Sequence, residues 1–426
     1  GVTDRLMQFS RFAQRFQQDT GTVQLMDDLG KARSAPPPVY MLGGGNPAHI
    51  PEVEAVFKEA LSEILNDASR FGQMVGEYDN PQGNDAFCHA LANMLHEQFG
   101  WHIDADNIAI TNGSQSSFGL LFNCLAGQFP DGHFKKILLP ITPEYVGYAD
   151  VGLAEEDIFE GHRATIECLD EHTFKYHVDF DQLVIDPMRH GAVCVSRPTN
   201  PTGNVISDAE LTRLRARCQT AGVPLIIDGA YGLPFPGMIF TDAKPLWDDG
   251  IILCLSLSKL GLPGLRTGIV VADPSITRLI RNANAINSLS PGRVGPTLAA
   301  ALLQRGDLMR LCNESIRPFY QSKVAHALSE VRRAMGNLPV RVHRAEGALF
   351  LWLWFEDLPI SSAELYARLV KKGVYIIPGH HFFPGLNDDW QHRNECIRVN
   401  YAAPNDVVTI GLNIIAETVK NAYDNS

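Results

Sequence analysis

VPLIID at residues 223–228 and IILCLS at residues 251–256 are apolar runs of strand length, the first followed by Gly229-Ala230-Tyr231 and the second by Leu257-Ser258-Lys259. A strand that is apolar throughout is buried on both faces, a pattern that belongs to parallel sheets covered by helices. Reading outward, IAIT (108–111), KKILLP (135–140), GAVCVS (191–196) and TGIVVA (267–272) are of the same kind, each ending where a Gly, Pro or polar cluster begins. Helix-periodic stretches separate them: NDAFCHALANMLHEQF places Phe87, Leu91, Met94, Leu95 and Phe99 on one stripe, and QSSFGLLFNCLAG follows the 108–111 strand directly. Alternation of strand and helix predicts an α/β fold with a mostly parallel sheet.

Further along, ALFLWLWF (348–355), GVYIIPG (373–379) and CIRVNYA (396–402), with a helical segment around ELYARLVKKG, predict a smaller α/β unit. The expected organisation is an N-terminal arm over 1–48 that joins the small unit, a large domain over 49–315, and a small C-terminal domain over 316–426. The proline run 36–38 marks the hinge between the arm and the LGGGNP loop.

A net charge of -12 sets nucleic acid aside as a partner. The densest basic run, Arg213, Arg215 and Arg217, reads as the solvated face of a helix opened by a capping box at Ser207 and Glu210. The eight cysteines lack a C-x-x-C pair and read as buried thiols of a reducing compartment. The histidines show no ligand spacing beyond the adjacent His380 and His381, so no metal is expected. No apolar run reaches the ~18 residues that span a bilayer, and the expected compartment is the cytoplasm, without a membrane partner.

Ligands of open parallel sheets bind outside the carboxyl ends of the strands, and there the residues are chemically uneven. After 108–111 stands Asn112-Gly113-Ser114-Gln115, which aims backbone amides at an anion; taken alone, Ser114 reads as a helix N-cap. After 191–196 stands Arg197-Pro198-Thr199-Asn200-Pro201-Thr202-Gly203, by itself a turn signature. Asp228 is an acid at the tip of an apolar strand, costly unless a cation meets it. Lys259 at a buried strand end loses its proton more easily than a surface lysine, as covalent carbonyl chemistry requires. Arg398 projects from CIRVNYA on the side opposite Ile397, Val399 and Tyr401, where a guanidinium suits either a carboxylate ligand or an internal ion pair.

In this order, phosphate loop, Asn-Pro-x-Gly turn, Asp-x-x-Tyr, Ser-x-Ser-Lys, Gly and Arg segment, and a distant strand Arg, the motifs resemble fold type I, the aspartate aminotransferase superfamily of pyridoxal phosphate enzymes. LGGGNPAHIPE, YDNPQGN, PEYVGYAD and PGHHFFPGL are similar to the valine–pyruvate branch of that superfamily, over nearly the whole chain.

The resemblance implies a large-domain sheet of the seven-stranded type, and an aminotransferase exchanging the amino groups of L-valine or L-alanine with pyruvate or 3-methyl-2-oxobutanoate, acting as a homodimer with shared sites. It implies Lys259 as the cofactor-bearing lysine, Asp228 on the pyridine nitrogen, and Asn200 and Tyr231 on the phenolic oxygen. It further implies Gly113, Ser114, Gln115, Ser256 and Arg266 around the phosphate, and Tyr145 stacked on the ring with Tyr148 as rival. Tyr78 would reach the neighbour's phosphate, and Arg398 would clamp the α-carboxylate beneath Gly44 and Gly45. Arg293 either selects acidic substrates or has a surface role. Gly229 is a position where relatives of this branch carry a larger residue. Other fold type I chemistry, a carbon-sulfur lyase or a cyclopropane-forming synthase, shares the cofactor residues, and a regulatory module would append a basic segment that the sequence lacks.

Overall fold

The computed structural model describes residues 7–426; the first six residues of the expected arm lie outside the described residues. In chain order the strands are β1 (Tyr40–Met41), β2 (Ile108–Thr111), β3 (Gly127–Gln128), β4 (Phe134–Thr142), β5 (Phe159–Arg163), β6 (Thr165–Cys168), β7 (Thr173–His177) and β8 (His190–Ser196). They continue as β9 (Leu225–Asp228), β10 (Ile251–Ser256), β11 (Gly268–Val271), β12 (Val340–His343), β13 (Phe350–Phe355), β14 (Val374–Tyr375), β15 (Ile377–Pro378) and β16 (Cys396–Asn400).

The large sheet has the order β2-β11-β10-β9-β8-β4-β3, with β5 also paired to β4. Its centre is parallel, β10 on β9 on β8 on β4 on β5, whereas β11 runs antiparallel to both neighbours. The two-residue β3 brings the strand count to eight, one beyond the expected seven. Every residue of β9, β10 and β11 is buried, which is why these runs carry no alternation of polar and apolar residues.

Helices cross between the strands with the ends their sequences specify. Asp85–Phe99 is capped by the Asn84 side chain, which accepts from the Phe87 N–H, and it stops at Gly100 with φ 70°. Asp208–Ala221 is capped by Ser207, but the Glu210 carboxylate accepts from the Val178 N–H at 2.6 Å instead of turning back on the cap, so the box is not reciprocal. The arginines of this helix are also less free than expected. Arg215 pairs with Asp248 at 2.6 Å, and Arg213 and Arg217 pack over the Phe180 ring at 4.2 and 5.5 Å. Their charges hold the helix to its surroundings.

The second sheet has the order β15-β16-β13-β12-β7-β6. The hairpin β6–β7 therefore leaves the large unit and pairs through β7 with β12, which interleaves the two units along the chain. At the other edge, β1 lies parallel to β14, and Asn400 donates its N–H to Leu42 O at 2.7 Å, so the segment around residue 40 is hydrogen-bonded to the C-terminal unit. One apolar core includes Val193 and Leu253 of the large sheet as well as Trp352 and Leu412 of the C-terminal unit. Six cysteines are buried, but Cys124 and Cys168 are exposed, a departure from the uniformly buried thiols expected. No helix among the described residues is long and apolar enough to cross a membrane.

Candidate active site

The carboxyl ends of β2, β4, β8, β9 and β10 open on a cavity of about 340 Å³. At the first, Gly113 adopts φ 110° and stands at the N-cap of helix Ser114–Leu125 without any side-chain cap. Ser114 is thus the first helical residue and not the N-cap, and its hydroxyl donates to Leu255 O at 3.2 Å, tying the loop to β10. The opening N–H groups of this helix lack intrahelical partners and lie at the positive end of its dipole. A Cβ added to Gly113 would stand 2.3 Å from a guanidinium nitrogen of Arg266, so the absence of a side chain is what lets that cation approach the loop. Gln115, Ser256 and Arg266 line the same corner, with Gln115 donating to Gly147 O at 2.7 Å and the Ser256 hydroxyl accepting from the Ser258 N–H at 3.0 Å. Three neutral donors, a helix start and a guanidinium make a cradle for a phosphate.

Asp228 ends β9 and is buried without an ion-pair partner in hydrogen-bonding contact. Tyr148 donates to it at 2.6 Å and the Ala230 N–H at 3.1 Å, and burial pushes its carboxyl up to about 6. The two tyrosines of PEYVGY therefore divide their tasks. Tyr148 is fully buried beneath Asp228, whereas Tyr145 lines the cavity with its ring edge-on to Tyr148 at 5.2 Å. Tyr231 and Asn200 line the wall beside them.

Lys259 sits in a tight turn over Ser258–Leu260, held by Gly261 at φ 116°. Its Nζ donates to Gly45 O at 2.6 Å and lies 5.3 Å from the centre of the Tyr231 ring. Burial, followed by the nearby Arg398 and Arg266 guanidiniums, pushes its ammonium down to about 8. Near neutral pH the lysine therefore has an appreciable free-amine fraction, which an exposed lysine lacks.

Arg398 enters from the second sheet. It donates to Asn200 Oδ1 at 2.8 Å and to Gly43 O at 2.7 Å, and its guanidinium lies 4.0 Å from the centre of the Phe350 ring. Its Nε is buried with no partner, and burial pushes the guanidinium down to about 10. A buried cation with an unused donor in a cavity is a receptor for an anion. Gly45 lines the cavity, but Gly44 does not; its carbonyl accepts from Asn400 Nδ2 at 2.5 Å.

The sequence reading overlooked two contributions. Thr22, Leu25, Met26 and Leu29 of helix Gly21–Ser34 close one side of the cavity, although their helix lies far from every strand-end motif. Glu144, the acid that follows β4, is buried against Ser196 and Tyr145. Tyr78 and Arg293 are not brought to the cavity by this chain. Tyr78 is 80% exposed, and Arg293 lies beside it, 3.5 Å from Asp79 and 4.0 Å from Glu77. His380 and His381 stack at 4.0 Å in a short turn, and no group of three metal-ligating side chains occurs among the described residues.

Residues 40–413 match the family described as aminotransferase class I and II. The chain belongs to that family. It is a transaminase whose substrates are amino acids and 2-oxo acids and whose cofactor is pyridoxal phosphate. The valine–pyruvate aminotransferase of Escherichia coli (strain K12) is 48% identical to this aminotransferase over 420 residues, covering 99% of this chain and 100% of that one. The solved structure of valine-pyruvate aminotransferase from Salmonella typhimurium LT2 is 46% identical, covers 95% of this chain and 100% of its own, and superposes with a TM-score of 0.87. A multiple substrate aminotransferase from Thermococcus profundus, 20% identical with 98% of both chains covered, shares the fold at a TM-score of 0.80.

The cavity fits the cofactor on three counts. The Gly113–Arg266 cradle suits its phosphate, the buried Asp228 carboxyl suits a protonated ring nitrogen, and the Lys259 amine suits its carbonyl carbon.

Proposed function

We propose that this aminotransferase moves the amino group between L-valine or L-alanine and a 2-oxo acid, pyruvate or 3-methyl-2-oxobutanoate, by ping-pong chemistry. The observation that carries this reading is the composition of the cavity. Beyond Lys259 and the cradle residue Arg266 its lining contains one cation, Arg398, while Leu25, Met26, Leu29, Ile377 and Phe382 offer apolar surface. One guanidinium serves one carboxylate, so a substrate side chain meets carbon and not charge.

In this reading Ser114, Gln115, Ser256 and Arg266 hold the cofactor phosphate together with the backbone at Gly113. Asn200 and Tyr231 hold the phenolic oxygen, Asp228 holds the proton on the ring nitrogen, and Tyr145 packs on the ring. Bound pyridoxal phosphate supplies the electron sink that makes the substrate α-carbon acidic. Lys259 carries the cofactor and, once released from it, takes the α-proton and returns it at the far end of the transfer. Arg398 fixes the α-carboxylate, with Asn200 and the Gly44–Gly45 backbone closing around it, so that the α-hydrogen is presented to Lys259.

A panel of single amino acids tests the substrate class. Mixed one at a time with the holoenzyme, L-valine and L-alanine are expected to convert the cofactor rapidly, with rates that differ by about ten- to a few hundred-fold, since each methylene changes apolar binding by roughly 1–3 kcal/mol. L-Aspartate should be slow, because its second carboxylate finds no free cation. Rapid conversion by aspartate with neither valine nor alanine reacting overturns the reading.

The proposal extends to a homodimer with shared sites, located in the cytoplasm. Phe71, Val75, Tyr78, Ile286 and Leu289 are exposed large side chains, a face suited to a second copy. In that arrangement Tyr78 of the partner subunit completes the phosphate cradle. Mixing inactive Lys259→Ala subunits with impaired Tyr78→Phe subunits is then expected to restore activity, because a hybrid gathers both defects in one site and leaves the other whole. Subunit exchange without recovery contradicts shared sites.

A further inference from the structure

Glu144 is a buried acid to which the chemistry above gives no task. Its residue is fully shielded from solvent, and the partners of its carboxyl are neutral. It accepts from the Ser196 N–H at 3.0 Å and the Tyr145 N–H at 3.0 Å, and it shares a short hydrogen bond with the Ser196 hydroxyl. Its own N–H donates to Phe382 O at 2.7 Å. Tyr145, Ser196 and Phe382 all line the cavity, one from the end of β4, one from the end of β8 and one from the C-terminal unit. Two walls thus meet at the carboxyl group of Glu144, and the third meets its backbone N–H.

Its charge state follows from its neighbours. Ser196 is paired across the sheet with Asp228, and Asp228, Tyr148, Tyr145 and Cys194 are the titratable groups that face Glu144. None of these is a cation. Burial pushes the Glu144 carboxyl up to about 8, and the negative charge of Asp228 adds to that shift. As a neutral acid the group still satisfies every contact. With the carboxyl protonated, one oxygen accepts from the Ser196 N–H, while the other accepts from the Tyr145 N–H and its proton can take over the short hydrogen bond to the Ser196 oxygen.

We infer that Glu144 is a positioning residue whose side chain works as a neutral acid, fixing the ends of β4 and β8 at Tyr145 and Ser196 to one point and leaving Asp228 the single negative charge beneath the cofactor ring. This rests on the reading of the cavity as the pyridoxal phosphate pocket.

The test titrates apo protein with pyridoxal phosphate and follows the visible absorbance of the lysine-bound cofactor against pH, for wild type, Glu144→Gln, Glu144→Ala and Ser196→Ala. Circular dichroism checks the fold of each variant. Glu144→Ala is expected to weaken cofactor binding about tenfold or more, the scale of a lost buried hydrogen-bonded group, whereas Glu144→Gln stays within about threefold of wild type. The midpoint of the absorbance titration should be unchanged in Glu144→Gln; a fall of about one pH unit would mean that an anion had been removed, and overturns the neutral-acid assignment. Wild-type affinity in Glu144→Ala overturns the positioning role. If that variant does not fold, Ser196→Ala, which removes only the hydroxyl, carries the test: several-fold weaker binding supports the inference and unchanged binding overturns it. Lys259→Ala separates this from the pocket reading, because visible absorbance that persists without Lys259 contradicts the pocket whatever Glu144 does.

Discussion

Replacing Lys259 by alanine is expected to leave the fold intact and to lower kcat by at least about 10²–10⁴-fold, the range supplied by a positioned proton-transfer group alone. The lysine stands just beyond β10, where the strand has carried it into the cavity, and its amine is pushed down to about 8 by burial and by two guanidiniums. The Gly45 carbonyl holds Nζ against the wall that also bears Tyr231. Among the described residues no other lysine lines the cavity to replace the lost group. Steady-state assays with L-valine and pyruvate, beside a circular dichroism spectrum matching wild type, check the result. A folded variant within tenfold of wild type would remove Lys259 from the mechanism.

The second large effect is expected at Asp228. Its carboxyl is pushed up to about 6 by burial, held by Tyr148 and the Ala230 N–H, and reaches no cation within hydrogen-bonding distance. Such a site is costly unless a positive charge arrives with the cofactor. On the proposed reading Asp228→Ala removes the group that would keep the ring nitrogen protonated, and turnover should fall by about 10²–10³-fold, the scale for losing one preorganised electrostatic partner. Because the variant also leaves the Tyr148 hydroxyl and the Ala230 N–H without that acceptor, a thermal melt is recorded beside the rate to establish that the fold is kept. Asp228→Asn keeps the shape and loses the charge, so near-wild-type rates in that variant would refute the electrostatic role.

Much of this was legible because the sheet writes itself plainly. Strands buried on both faces appear as apolar runs, and IAIT and IILCLS stand in the structure with the bounds their sequences suggest. The residues after those runs had nowhere to go but the cavity, so strand order alone collected Ser114, Asn200, Asp228 and Lys259.

Illegible were the elements without that signature. The strand β5 reads FEGHR and β6 reads TIEC, polar segments at sheet edges, the first only partly buried and the second mostly exposed, and they become strands only through their neighbours. The hairpin β6–β7 accordingly joined the second sheet unforeseen. The helix Gly21–Ser34 has a weak signature because only Leu25 and Ala32 are buried, while Met26 and Val23 stay exposed and Met26 helps to line the cavity. Glu144 has a weaker signal than Asp228, an acid two residues beyond the end of an apolar strand and not at its tip.

Tyr78 shows a further limit, since the role proposed for it, on a neighbouring copy, would leave no trace in the strand order of its own chain. Arg293, weighed as a selector of acidic substrates, is occupied here by Asp79 and Glu77.

The most direct measurement of the central claim is borohydride reduction of the holoenzyme followed by peptide mapping. Lys259 is the lysine at the buried strand end, and the account predicts that the reduced cofactor is recovered on the peptide that contains it. Recovery on the peptide of Lys244 or Lys323 would contradict the account.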